Sequence, residues 1–228
     1  MTRIVPFLVA AAFLIPGPAW AAKDRDGDGV RDRDDACEGQ DDRVDLDANS
    51  QPDCGENLLV GAGFDSVDQG LAWEDDVSGN SSTGVSFEDG QGYLYSGSLD
   101  IRLSGPFDTA TQGSRFSSCV EVEPGSRQLL MAQVQVQSEG SGELALLEYG
   151  DLVDCLGRTG ALARTRLGGR LGTVGWEDLG GPLSLSGSTR YARVEVRAEK
   201  SGQQGVLTRW DNVLLKPLAD EPALASAE

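Results

Sequence analysis

The chain contains no histidine. That absence removes Ser-His-Asp and Cys-His nucleophile sites, HExxH metal sites and every imidazole base. Aromatic residues are scarce at 6%. Positive charge is short as well: 19 Lys and Arg face 37 Asp and Glu in 228 residues, a formal net charge of −18. A surface this acidic repels nucleic acid and anionic membrane at long range, so neither is an expected partner. The four cysteines show no Cys-x-x-Cys spacing, which argues against a thiolate zinc site. What is abundant is glycine, 30 residues or about 13% against a usual ~7%, the mark of a turn-rich β protein rather than a helical one.

The first 22 residues read as a secretory signal peptide. Arg3 supplies a positive start, Ile4 to Ile15 form an apolar run of 12, Pro16-Gly17-Pro18 breaks it, and Ala19-Trp20-Ala21 supplies the small-x-small cleavage pattern. Twelve residues are too few to span a bilayer, which takes about 20, and no later segment is long and apolar enough. No cysteine follows the cleavage point to carry a lipid. The expectation is a secreted chain, extracellular or periplasmic, with a place at the cell surface possible and no membrane insertion. In an oxidising compartment Cys37, Cys54, Cys119 and Cys155 are expected as disulfides, for which three pairings exist. Two fall in an acidic segment and two in a later domain, so Cys37–Cys54 and Cys119–Cys155 is the expected arrangement.

Residues 23–56 hold 13 acids and 5 bases. Their spacing is regular. From Asp24, oxygen side chains stand at loop positions 1, 3, 5, 9 and 12 (Asp24, Asp26, Asp28, Asp32, Asp35), with Gly29 at 6 and the Val30 carbonyl at 7. This is how a twelve-residue loop wraps Ca²⁺: alternate side chains converge, and glycine permits the sharp turn. A second loop repeats the register 21 residues later with Asp45, Asp47, Asn49, Asp53 and Glu56, the Gln51 carbonyl at position 7, and Ser50 in place of the glycine. An acidic run is ordinarily a solvated linker. Two loops in register, each closed by a cysteine, favour a cation instead, because clustered carboxylates repel one another unless an ion compensates them.

No amphipathic helices flank the loops, so they are not EF-hands. Asp24-x-Asp26-Gly-Asp28-Gly-Val30-x-Asp32-x-x-Asp35-x-Cys37 and Asp45-x-Asp47-x-Asn49-x-x-Pro52-Asp53-Cys54 resemble the thrombospondin type 3 repeat over residues 24–56. The resemblance implies a segment with almost no hydrophobic core, held by Ca²⁺ and disulfides, whose carboxylates are structural ligands rather than catalysts. Two repeats are few for that family, so a long stiff rod is not implied.

From Asn57 to Pro217 the pattern is one of strands and turns. Gln128 to Gln137 alternates, with Ala132, Val134 and Val136 on one face and Gln133, Gln135 and Gln137 on the other. Ala192, Val194, Val196 and Ala198 alternate in the same way with charged residues. Further strands are predicted over 84–88, 98–104, 115–122, 143–149 and 206–215, with Asn57 to Val60 strand-like and turns at 123–126, 139–142 and 179–182. Together they predict a mainly β fold, an antiparallel β-sandwich of about 160 residues preceded by the calcium-binding, disulfide-linked loop segment. The stretches Asn57 to Asp65, Ala72-Trp73, Val174-Gly-Trp176 and Arg209 to Leu215 resemble those of galactose-binding-like jelly rolls found in carbohydrate-binding modules. The resemblance implies a jelly roll over 57–217, a further Ca²⁺ position at Asp65 and Asp211, and architectural roles for Trp73, Trp176 and Trp210.

Sugar binding needs aromatic faces and polar edges. Tyr93 and Tyr95 share strand parity beside Asp89 and Gln91, which suits a sugar platform or, equally, a core pair. The expected function is a non-catalytic binding module for carbohydrate of an envelope or matrix. Alternatives are a structural or adhesive protein that binds extracellular protein, and a glycoside hydrolase, for which no catalytic motif is present. Residues 218–228 carry no strand pattern and are expected to fray.

Overall fold

The computed structural model describes residues 24, 29–37, 40–77, 81–90, 97–105, 111–172, 175–202 and 204–219. The predicted signal peptide and the tail from Asp220 lie outside them. Among the described residues no helix is long and apolar enough to cross a membrane.

The alternating run at 128–137 forms β6 (Arg127–Gln137), and that at 192–198 forms β10 (Tyr191–Lys200). Each is an interior strand of one of two antiparallel sheets. The first orders β1 (Glu74–Asp76), β4 (Gln112–Phe116), β10, β7 (Gly140–Tyr149) and β8 (Ala163–Leu171), with β5 (Val120–Glu121) also on β10. The second orders β2 (Ser82–Ser86), β3 (Ser98–Leu103), β11 (Val206–Pro217), β6 and β9 (Glu177–Ser184). The inner faces close over one core that includes Ile101, Leu130, Val134, Leu144, Val194 and Trp210. Phe64 and Trp73 pack edge to face there, with centroids 5.3 Å apart. The chain is thus mainly β and a sandwich, as its alternation predicts.

Several local expectations are corrected. The segment 57–60 is not a strand: the Asn57 side chain takes over pairing, accepting from Leu59 and Leu215 N–H and donating to the Val213 carbonyl. The predicted strand 115–122 is broken into β4 and β5 where the Ser117 hydroxyl accepts the Val194 N–H. Residues 179–182 form part of β9, an edge strand where Pro182 is tolerated. Glycine is needed there, since a Cβ on Gly180 would lie 2.1 Å from the Leu130 carbonyl oxygen. The turn expected at 139–142 is shorter, because β7 begins at Gly140. Trp73 and Trp210 are in the core, but Trp176 is half-buried and outside it.

Both disulfides pair as expected, Cys37 with Cys54 and Cys119 with Cys155. The second does not join two strands. Cys155 lies in a short helix α2 (Leu152–Gly157), which Asp151 caps by accepting the Asp154 N–H. A second short helix, α1 (Val67–Leu71), is capped by Ser66 in the same way. Near its end β11 carries an irregularity between Asp211 and Leu214, with Asn212 at φ 48°. The shift in parity lets Trp210, Val213 and Leu215 all join the core, while Lys216 is carried to the opposite face.

Candidate cation and ligand sites

Of the first loop, Asp26 and Asp28 lie outside the described residues. Asp24 accepts the Gly29 N–H at 3.1 Å, and Gly29 has φ 93°, the left-handed conformation that favours glycine at this position. Asp32 and Asp35 are half-buried, as is Val30, and Asp35 accepts the Cys37 N–H at 2.7 Å.

The second loop is described throughout. Ser50, which stands where the first loop has glycine, is also left-handed at φ 67°. Asp45 holds that turn by accepting the N–H groups of Asn49 and Ser50, both at 2.9 Å. Desolvation pushes the Asp45 carboxyl up, but these backbone donors outweigh it and hold it below the usual carboxylate range. Asn49 accepts the Gln51 N–H and donates to Glu56. A 3₁₀ turn at Asp53–Gly55 buries Asp53, whose Oδ2 accepts the Leu46 N–H at 2.7 Å. Burial, with the charges of Asp47 and Asp45 nearby, lifts the Asp53 carboxyl to about 6 against the pull of Leu46 and Lys216. Asp45, Asp47 and Asp53 each offer a carboxylate oxygen within 4.8 Å of the others. The Oδ1 atoms of Asp47 and Asp53 are buried with no hydrogen-bond partner. Three carboxylates that converge, two of them with a buried oxygen that accepts no hydrogen bond, could hold a hard cation, with Asn49 and Glu56 as neighbouring oxygen side chains. Cys37, Cys54 and Asp42 also converge, but the sulfurs are joined in a disulfide and offer no thiolate.

A second acidic grouping lies on the sandwich. Asp211 is fully buried and accepts the N–H groups of Gly90 at 2.7 Å and Asn212 at 2.8 Å. Desolvation raises its carboxyl well above the ordinary value; the Gly90 N–H opposes this, and Asp89 and Asp65 add to it. The structure therefore brings the two acids that the sequence pairs, Asp65 and Asp211, within electrostatic reach and adds Asp89, which the sequence places only beside the Tyr93 and Tyr95 pair. Asp89 reaches the site by tertiary folding alone, from a loop 122 positions away in sequence from Asp211.

The outer face of the second sheet is polar. Gln133, Gln135 and Gln137 of β6 lie beside Asp178 of β9 and Arg209 and Asp211 of β11. Gln133 donates to Asp178 at 3.1 Å and its carbonyl accepts from Asn212 at 3.2 Å. Arg209 donates to Gln135 at 2.8 Å and pairs with Glu88 at 2.7 Å and Asp100 at 3.4 Å. Burial raises the Asp100 carboxyl, and Arg209 pulls it back. Half-buried Trp176 immediately precedes β9, whose Glu177 pairs with Val134. Tyr93 and Tyr95 lie outside the described residues.

No family model matches the chain, and no curated protein matches it by sequence. Among solved structures, the enzymatically active domain of bacteriophage CBA120 tailspike protein 4 superposes with a TM-score of 0.51 at 10% identity. The match covers 72% of this chain and 22% of that one, so the chain spans about a fifth of the length of that solved domain and shares its fold in that part. A family 61 carbohydrate-binding module in complex with β-1,4-galactotriose matches 71% of this chain and 99% of its own, at 15% identity and a TM-score of 0.47. The xylan-binding CBM22-1 domain of Paenibacillus barcinonensis Xyn10C matches 73% and 97%, at 12% identity and a TM-score of 0.47.

Proposed function

We propose that the chain is a secreted, calcium-stabilised, non-catalytic module that binds carbohydrate on the outer face of its second sheet. The observation that carries this reading is the ridge of amide, carboxylate and guanidinium groups of Gln133, Gln135, Asp178 and Arg209, with Trp176 at its margin. Paired donors and acceptors fixed on strands suit the hydroxyls of a sugar, and an indole suits its C–H face. Affinity electrophoresis against plant, bacterial and matrix polysaccharides tests it. Retardation by at least one, lost in Gln135→Ala and Trp176→Ala, is expected; no retardation by any, together with capture of a protein partner, contradicts it.

In this reading Asp45, Asp47, Asn49, Asp53 and Glu56, with the Gln51 carbonyl, hold one Ca²⁺. Asp24, Asp26, Asp28, Asp32 and Asp35, with the Val30 carbonyl, hold another. The ions supply charge compensation and cross-linking, not chemistry. Expected affinities are about 10⁻⁴–10⁻³ M, the range of extracellular modules. A further ion at Asp65, Asp89 and Asp211 would remove the like-charge repulsion at the buried Asp211.

The protein-binding alternative is favoured by one observation: Leu152, Val153 and Leu156 of α2 are 43%, 80% and 58% exposed. Glycoside hydrolysis is disfavoured by the sandwich's own acids. Glu143 and Glu195 are both clamped by Arg164, Glu143 also by Arg166 at 2.9 Å and Glu195 also by Arg197 at 3.2 Å. Such pairing engages both carboxylates with guanidinium groups of the same sheet, whereas a glycosidase turns its two carboxyls toward the scissile bond.

A further inference from the structure

The second loop already holds a cation of the protein's own. The parity shift in β11 turns Lys216 out of the core side and toward the acidic segment. There its Nζ pairs with Asp47 Oδ2 and Glu56 Oε2, and its side chain is only 6% exposed. Asp47 and Glu56 stand at positions 3 and 12 of the loop, so the ammonium engages two of the groups that would ligate a metal. It does not finish the task. A single charge with three donors cannot satisfy six or more oxygens, and Oδ1 of both Asp47 and Asp53 stays buried without a hydrogen-bond partner.

We propose that Lys216 is a resident cation that sets the calcium affinity of the second loop. Without Ca²⁺ it compensates Asp47 and Glu56 and, with the Asn57 clamp, keeps the loop docked on β11. When Ca²⁺ enters, two like charges share one cradle, so the ion binds more weakly than the oxygens alone would hold it. The device makes this loop a weak site that survives calcium withdrawal. It rests on the calcium reading above.

Calorimetric titration with Ca²⁺ alone, on the wild type, Lys216→Met and Lys216→Gln, tests it. The expected result is that both variants bind one ion at least about tenfold more tightly than the wild type, and that Asp47→Asn in either variant abolishes that site. In EDTA the same two variants are expected to be cut by protease within 41–56 faster than the wild type. A wild type with no measurable binding beside variants that bind also supports the assignment. Equal or weaker binding in the variants overturns the role of Lys216 and leaves the calcium reading standing. Absence of binding in the wild type and both variants overturns the two together.

Discussion

Among the described residues of the acidic segment, only Cys37 and Val44 are buried apolar side chains, whereas the sandwich closes over Trp210, Ile101, Leu130, Leu144, Val194 and their neighbours. The segment relies instead on a disulfide, on carboxylates that accept backbone N–H groups, and on ion pairs to β11. Both parts belong to one chain and touch along β11, yet different physical terms hold them. Apolar burial is insensitive to ions and redox state, and charge compensation is not. The two halves should therefore separate under perturbation.

The largest effect is expected in the sandwich. Trp210→Ala removes a fully buried indole from the core between the sheets and should cost about 3–5 kcal/mol in denaturant unfolding. It should leave the calcium response of the segment unchanged; a lost response would show that the halves are one cooperative unit. Next, Cys37→Ser with Cys54→Ser opens a cross-link spanning 17 positions, worth about 3 kcal/mol to the segment. Proteolysis is expected to accelerate within 24–56 and not within 57–217, and equal acceleration in both would break the comparison.

Asp53 gives a pH dependence whose sign is fixed. Its folded carboxyl stands at about 6, above the unfolded value of about 3.9. Such a group favours folding below the unfolded value and loses that contribution as pH rises through about 6. Calcium-free protein should therefore gain roughly 2–3 kcal/mol of segment stability at pH 7–8 from Asp53→Asn, a gain that vanishes near pH 4. The same variant should lose calcium protection. A loss of stability at pH 8 in EDTA would contradict the burial of an uncompensated charge at this position. The smallest effect is expected from Gln135→Ala, which should move stability by no more than about 0.5 kcal/mol while weakening polysaccharide retardation.

Much of this architecture is legible in the order of the residues. Period-two alternation over 128–137 and 192–198 marks an interior strand of each sheet, because one face must be apolar to bury. Loop spacing over 24–56 selects Asp45, Asp47 and Asp53, which the fold brings within 4.8 Å. Other features are not legible locally. Residues 179–182 read as a turn, since Gly-Gly-Pro is turn chemistry wherever an edge strand does not tolerate it. Lys216 gives no signal in sequence: it reaches the loop only through a parity shift in β11, 160 positions beyond Glu56. Asp89 joins Asp211 through tertiary folding for the same reason.

Hydrogen exchange with and without millimolar Ca²⁺ is the sharpest test of an ion-held segment on an apolar sandwich, because it reads both halves in one sample. Amides in 24–56 are predicted to exchange more slowly when Ca²⁺ is added, with those of β6, β7, β10 and β11 unchanged. Identical exchange in 24–56 with Ca²⁺ and with EDTA would contradict the division.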